Sequence, residues 1–112
     1  MPFVKIETNV PVQDPALLSK KLSELSAKAL GKPETYVMTA CIQNTAMSFA
    51  GTDKPMAFME CKSIGLSGSQ TAGISAELCA FCETELGIPK NRVYIEFFNA
   101  DGGFWGWNGA TF

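Results

Sequence analysis

Residues 3 to 8, FVKIET, alternate along the chain. Phe3, Lys5 and Glu7 fall on one side of an extended backbone and Val4, Ile6 and Thr8 on the other, which is the period of a β-strand. From Pro15 onward the period changes. Leu18, Leu22, Leu25 and Ala29 recur at intervals of three and four, as on one face of a helix. Asp14 is placed to cap this helix and Pro15 to occupy its first position, where a missing N–H costs nothing. Gly31 and Pro33 end it, and YVMTACI, residues 36 to 42, reads as a second strand. The first half of the chain therefore predicts a β-α-β unit.

The second half repeats the order. MAFMECKS, residues 56 to 63, reads as a strand. A helix from about Gln70 to Leu86 turns Ile74, Leu78, Phe81 and Cys82 inward, Gly87 and Pro89 stop it, and RVYIEFF, residues 92 to 98, follows as a strand. The segments LGKPETYVM (30 to 38) and LGIPKNRVY (86 to 94) match at Leu, Gly, Pro and Val with an offset of 56, half of the 112 residues. Self-similarity of this kind means two copies of one supersecondary unit. Joined through the loop around Gly51 to Pro55, the pseudo-repeats (about 1–50 and 56–112) predict one α+β domain spanning 1–112. Its architecture is an α/β sandwich in which a four-stranded mixed sheet carries both helices on one face. The opposite face is expected to carry apolar residues such as Val4 and Ile6, and to be buried against identical sheets in a closed cyclic oligomer.

The tail, FNADGGFWGWNGATF, sets Phe104, Trp105, Trp107 and Phe112 among glycines and short polar residues, too aromatic for a free disordered end. It is expected to dock. A core or intersubunit contact accounts for any single ring, whereas several together also suit the wall of a pocket.

Composition narrows the chemistry. Nine basic and eleven acidic residues give a net charge of −2 with no block of like charge, so no nucleic-acid partner is expected. No window approaches the roughly 18 apolar residues of a membrane span, and the opening residues lack a basic segment followed by an apolar one. The expectation is a soluble cytoplasmic chain. Cys41, Cys61, Cys79 and Cys82 then read as reduced core residues. Histidine is absent, which removes Ser-His-Asp and Cys-His catalysis and any imidazole metal site; neither metal nor cofactor is expected.

A general base must therefore come from another group. Met followed by a small residue is commonly trimmed, so Pro2 would present a secondary amine at the start of the first strand. An α-amino group titrates near 7.7 to 8.0, and an apolar site without a counter-charge lowers that value, leaving a neutral amine at pH 7. A proline that merely begins an exposed strand is the plain alternative.

PFVKIETNVP at the start, GKPETY in the middle, KSIGLSG, NRVYI and the terminal GWNGATF, taken in order, resemble the macrophage migration inhibitory factor and D-dopachrome tautomerase family over essentially the whole chain. The resemblance implies trimers of β-α-β-β-α-β subunits with active sites at subunit boundaries. It also implies cofactor-independent keto-enol tautomerisation of phenylpyruvate-like acids or dopachrome-like compounds, with Pro2 as the proton-transferring residue. Lys32 falls on the family's lysine, which attracts a substrate carboxylate; a solvated surface lysine is the alternative. Ile64 lies in a segment that borders the family's pocket, Tyr94 matches a tyrosine entering from a neighbouring subunit, and Tyr36, Trp107 and Phe112 match aromatic positions around the mouth. Without the resemblance these aromatic side chains would be assigned to core or interface.

Three positions depart from the family pattern. Glu96 replaces an asparagine near the proline, and a carboxylate close to the amine would raise its pKa. Trp105 replaces a smaller aliphatic residue at the rim. MAFM, residues 56 to 59, lacks the Cys-x-x-Cys pair of the cytokine-type member, while Cys79-Ala-Phe-Cys82 has that spacing inside a helix rather than at its start, where a thiolate is favoured. Two other functions compete with the tautomerase. One is a cytokine-like ligand, exported non-classically, with a vestigial pocket and a receptor that the residues do not identify. The other is a superfamily hydratase or dehalogenase, which needs arginines; Arg92 stands alone.

Overall fold

The computed structural model describes residues 1–112 and places β1 (Phe3–Thr8), α1 (Pro15–Leu30), β2 (Met38–Ile42), β3 (Ala57–Ile64), α2 (Gly68–Leu86) and β4 (Val93–Ala100) in chain order. A short hairpin, β5 (Gly106–Trp107) and β6 (Ala110–Thr111), follows. The main sheet has the order β2-β1-β3-β4, with β1 parallel to β2, β3 parallel to β4 and the central β1–β3 pair antiparallel. The expected mixed four-stranded sheet with two crossover helices is what the chain adopts. No helix is long and apolar enough to cross a membrane.

The helix ends follow from their capping chemistry. Asp14 accepts a hydrogen bond from the Leu17 N–H at 3.0 Å, and Pro15 sits in the first position. Gly31 and Gly87 close α1 and α2 at φ of 64° and 66°, where a side chain would be strained. The second helix starts at Gly68 rather than near Gln70, because Ser67 and Gln70 cap one another's backbone N–H groups in a capping box. The strands after the helices start later than the hydrophobic runs suggested. Glu34–Tyr36 and Lys90–Arg92 each form a 3-10 turn, so β2 begins at Met38 and β4 at Val93.

The core lies between the sheet and the helices. Leu18 and Leu22 of α1 and Ile74, Leu78 and Cys82 of α2 are buried against it, with Leu25, Ala29 and Phe81 packed partly buried at its margin. Here one expectation fails. Val4 and Ile6 are both fully buried beneath the helices, together with Met59 and Cys61 of β3. Alternation puts Phe3, Lys5 and Glu7 on the open face instead, in register with Lys62, Glu60 and Phe58. That face is amphipathic. Met38, Ile42, Tyr94 and Phe98 are exposed along it, while Lys5–Glu60 (2.7 Å) and Lys62–Glu60 (3.4 Å) form a charged centre. Aliphatic side chains go to the side the helices keep dry, and the charged set faces outward.

Candidate active site

Pro2 is buried at the head of β1, and its carbonyl accepts a hydrogen bond from the Met38 N–H at 3.0 Å, extending the β1–β2 ladder by one step. The start of the chain is thereby held in the sheet. Around it opens a cleft of about 230 Å³ lined by Met1, Pro2, Phe3, Tyr36, Trp105, Trp107 and Phe112, with Thr35, Val37, Met38 and Gly106 completing the wall.

The aromatic wall comes from two distant parts of the sequence. The 3-10 turn after α1 presents Tyr36. The tail folds back as the β5–β6 hairpin about Asn108 and Gly109, both at positive φ (53° and 76°), a two-residue turn for which Asn-Gly is the favoured pair. This brings Trp107 within 5.6 Å of Tyr36, edge to face, and stacks Trp107 on Phe112 at 5.5 Å. Gly102 fits because it lacks a side chain: a Cβ there would lie 2.9 Å from the Phe112 carbonyl oxygen. Phe104 is 87% exposed in the single subunit, so of the two roles expected for the tail's rings it has no core contact within its own chain.

The surroundings lower the pKa of an amine at the chain's start. In this chain the terminal ammonium is that of Met1, one residue upstream of the Pro2 nitrogen. Burial first, and the nearby Lys32 cation second, hold it below its ordinary value of 8.0. Lys32 is half-buried and joins none of the ion pairs that engage Lys5, Lys21, Lys62 and Lys90. Its counterpart in the second repeat is Ile88, which is fully buried. The two repeats thus diverge here: one helix end closes on an aliphatic side chain, the other presents a cation.

The remaining expected site residues lie elsewhere in the subunit. Ile64 ends β3 at the Pro2 end of the sheet but does not line the cleft. Tyr94 stands at the far end of the open face, in register with Phe58 and so with Glu7. It is 64% exposed and lines a separate hollow of about 420 Å³ with Met47, Phe49, Met56 and Phe58. Glu96, two residues on, shares that face and is in register with Glu60. Neither belongs to the Pro2 cleft of its own chain. The sequence reading missed Phe3 and Met38, which pair across β1 and β2 and floor the cleft; their place beside Pro2 on one ladder was the available signal.

Two alternative chemistries lose support. Burial raises the Cys61 thiol to about 11 and that of Cys82 to about 12, so neither supplies a thiolate near neutrality. The guanidinium of Arg92 is committed to backbone carbonyls of Phe49, Thr52, Lys54 and Pro55, leaving no free arginine for an acidic substrate. No cluster of three or more His, Cys, Asp or Glu side chains suited to a metal ion is present.

A tandem β-α-β subunit with proline at the head of β1 and an aromatic cleft around it defines a member of the tautomerase superfamily fold. The chain belongs to the macrophage migration inhibitory factor family, whose model matches residues 1–112. A macrophage migration inhibitory factor homologue of Brugia malayi is 42% identical, the match covering 100% of this chain and 99% of that one. The Mus musculus macrophage migration inhibitory factor is 35% identical with the same coverage. Among solved structures, the homologue from Prochlorococcus marinus superposes with a TM-score of 0.93 at 44% identity, over 98% of both chains. That from Toxoplasma gondii gives 0.87 at 38% identity, over 98% of this chain and 99% of that one.

Proposed function

We propose that the chain is a keto-enol tautomerase for phenylpyruvate-like α-keto acids or dopachrome-like compounds, with the Pro2 amine as general base once Met1 is removed. The observation that carries this reading is the placement of Pro2: buried, fixed by the sheet and walled by Tyr36, Trp105, Trp107 and Phe112, while Lys32, outside the cleft lining of its own chain, still lowers the terminal amine's pKa through its charge. Met1 itself occupies part of the cleft. Its removal enlarges a space that, at about 230 Å³, lies below the usual range of about 300 to 1,000 Å³ for small-molecule sites.

The reaction needs one base and no oxidant. The neutral Pro2 amine takes a proton from the carbon next to the keto carbonyl, and the C–H electron pair moves to form the enolate. The protonated Pro2 then gives its proton, directly or through water, to the enolate oxygen, which yields the enol and restores the neutral amine, and the reverse sequence regenerates the ketone. The aromatic wall suits a flat ring, and Lys32 suits the substrate carboxylate and the developing enolate charge. Lys32→Ala is therefore expected to raise KM for phenylpyruvate, with kcat falling only as far as the same cation stabilises the enolate. Steady-state kinetics check this; an unchanged KM would remove Lys32 from the site.

Tyr94 and Glu96 reach a Pro2 cleft only from another copy of the chain. The half-apolar open face, with Met38 66% and Phe98 57% exposed, supports a closed homotrimer with sites at the boundaries. Sedimentation equilibrium is expected to return three times the 12.1 kDa subunit mass, with activity following the trimer. A fully active monomer would contradict shared sites.

A further inference from the structure

The two repeats end their helices in the same way and then put the following 3-10 turn to parallel uses. Tyr36 in the first turn and Arg92 in the second stand 56 positions apart, each three residues beyond a proline. Tyr36 braces the C-terminal hairpin through Trp107 and Phe112. Arg92 braces a different segment, the loop from Phe49 to Pro55. Its Nε donates to the Pro55 carbonyl at 2.9 Å, Nη1 to that of Phe49 at 3.2 Å, and Nη2 to those of Lys54 and Thr52 at 3.1 and 3.4 Å. The guanidinium also lies over the Phe49 ring, 5.2 Å from its centre.

This loop requires holding. Phe49 and Thr52 pair through two backbone hydrogen bonds about Ala50 and Gly51, both at positive φ (52° and 76°), and the left-handed region is unfavourable for alanine. Asn9 ties down the later part by bonding to the Asp53 and Lys54 carbonyls and the Met56 N–H. The side-chain hydrogen bonds that fix Phe49 and Thr52 to the rest of the chain come from Arg92. Phe49 in turn lies 4.7 Å from the Tyr94 ring, tilted by 51°.

We infer that Arg92 is a positioning residue for the tautomerase site, setting the direction of Tyr94 through Phe49 and so shaping the aromatic wall that each copy lends its neighbour's Pro2 cleft. The inference rests on the proposed shared site. Arginine suits the task because its planar fork reaches several carbonyls at once, whereas lysine offers a single nitrogen.

The chain contains two tyrosines, Tyr36 and Tyr94, so fluorotyrosine labelling yields two resonances, assigned by Tyr94→Phe. In Arg92→Met the Tyr94 resonance is expected to shift while that of Tyr36 stays. KM for phenylpyruvate should rise about two- to tenfold, the scale of one aromatic contact, with kcat near wild type. Phe49→Leu retains the guanidinium bonds but removes the ring and should reproduce the pattern; Arg92→Lys should fall between Arg92→Met and wild type. A folded Arg92→Met trimer with wild-type KM and an unmoved Tyr94 resonance would overturn the inference, even if its melting temperature fell. Tyr94→Ala separates the two layers. If it raises KM while Arg92→Met does not, positioning by Arg92 fails alone; if it leaves KM unchanged, the shared site fails.

Discussion

Pro2→Gly is expected to lower kcat/KM for phenylpyruvate by about 10²- to 10⁴-fold, the usual worth of a positioned general base, while the chain still folds and associates. Glycine keeps a terminal amine but loses the ring that fixes the nitrogen's direction at the head of β1. The backbone bond from the Met38 N–H to the carbonyl of residue 2 survives the change, so the fold has little reason to suffer. Circular dichroism and sedimentation on the same sample control for misfolding. Wild-type kcat/KM in a confirmed trimer, free of host tautomerase, would leave the ligand reading ahead.

Leu78→Ala is expected to produce the largest loss of stability, about 2 to 5 kcal/mol. Leu78 is 1% exposed on the inner face of α2, within the cluster that includes Val4, Ile6, Leu22 and Met59. Truncation removes apolar burial and leaves a cavity that close-packed neighbours fill only in part. Against a typical domain stability of about 5 to 15 kcal/mol, that is a large share. The midpoint of urea unfolding, measured at fixed protein concentration because association shifts it, should fall clearly. Lys20→Ala, at an exposed position of α1 on the helix side of the subunit, should move it by no more than about 0.5 kcal/mol. Equal midpoints for the two variants would mean that the core is misassigned.

Local signals carried much of the architecture. Asp14 and Pro15 marked one helix start, and Gly31 and Gly87 marked both helix ends, because capping depends on a few adjacent residues. The repeat of Leu30–Met38 in Leu86–Tyr94 implied the tandem topology before any contact was known. Sheet faces were harder. Alternation separates Val4 and Ile6 from Lys5 and Glu7 but does not itself say which set meets the helices; the charges were the overlooked signal, and Lys5 and Glu60 pair at 2.7 Å on the side away from them. The candidate site was named mainly through resemblance. Pro2, Tyr36, Trp105, Trp107 and Phe112 are separated by up to 110 positions, and only the hairpin about Asn108 and Gly109 brings the tail back to the chain's start. The hydrogen bonds of Arg92 were invisible in sequence, because four carbonyl acceptors leave no trace in residue type.

The central claim is that the Pro2 amine is the base, and its own titration tests this most directly. In protein labelled with ¹⁵N-proline and shown by intact mass to begin at Pro2, the amine is expected to titrate below the ordinary α-amino range of about 7.7 to 8.0, for the reasons that lower the Met1 amine, burial and the Lys32 cation. A neighbouring copy's Glu96 at the cleft would oppose them, so Glu96→Gln should move the midpoint lower still. Only the neutral amine accepts a proton, so kcat/KM should fall as pH drops through that same midpoint. Coincidence of the two midpoints is the predicted result. Full activity in a preparation that retains Met1, or a rate that ignores the amine's titration, would contradict the account.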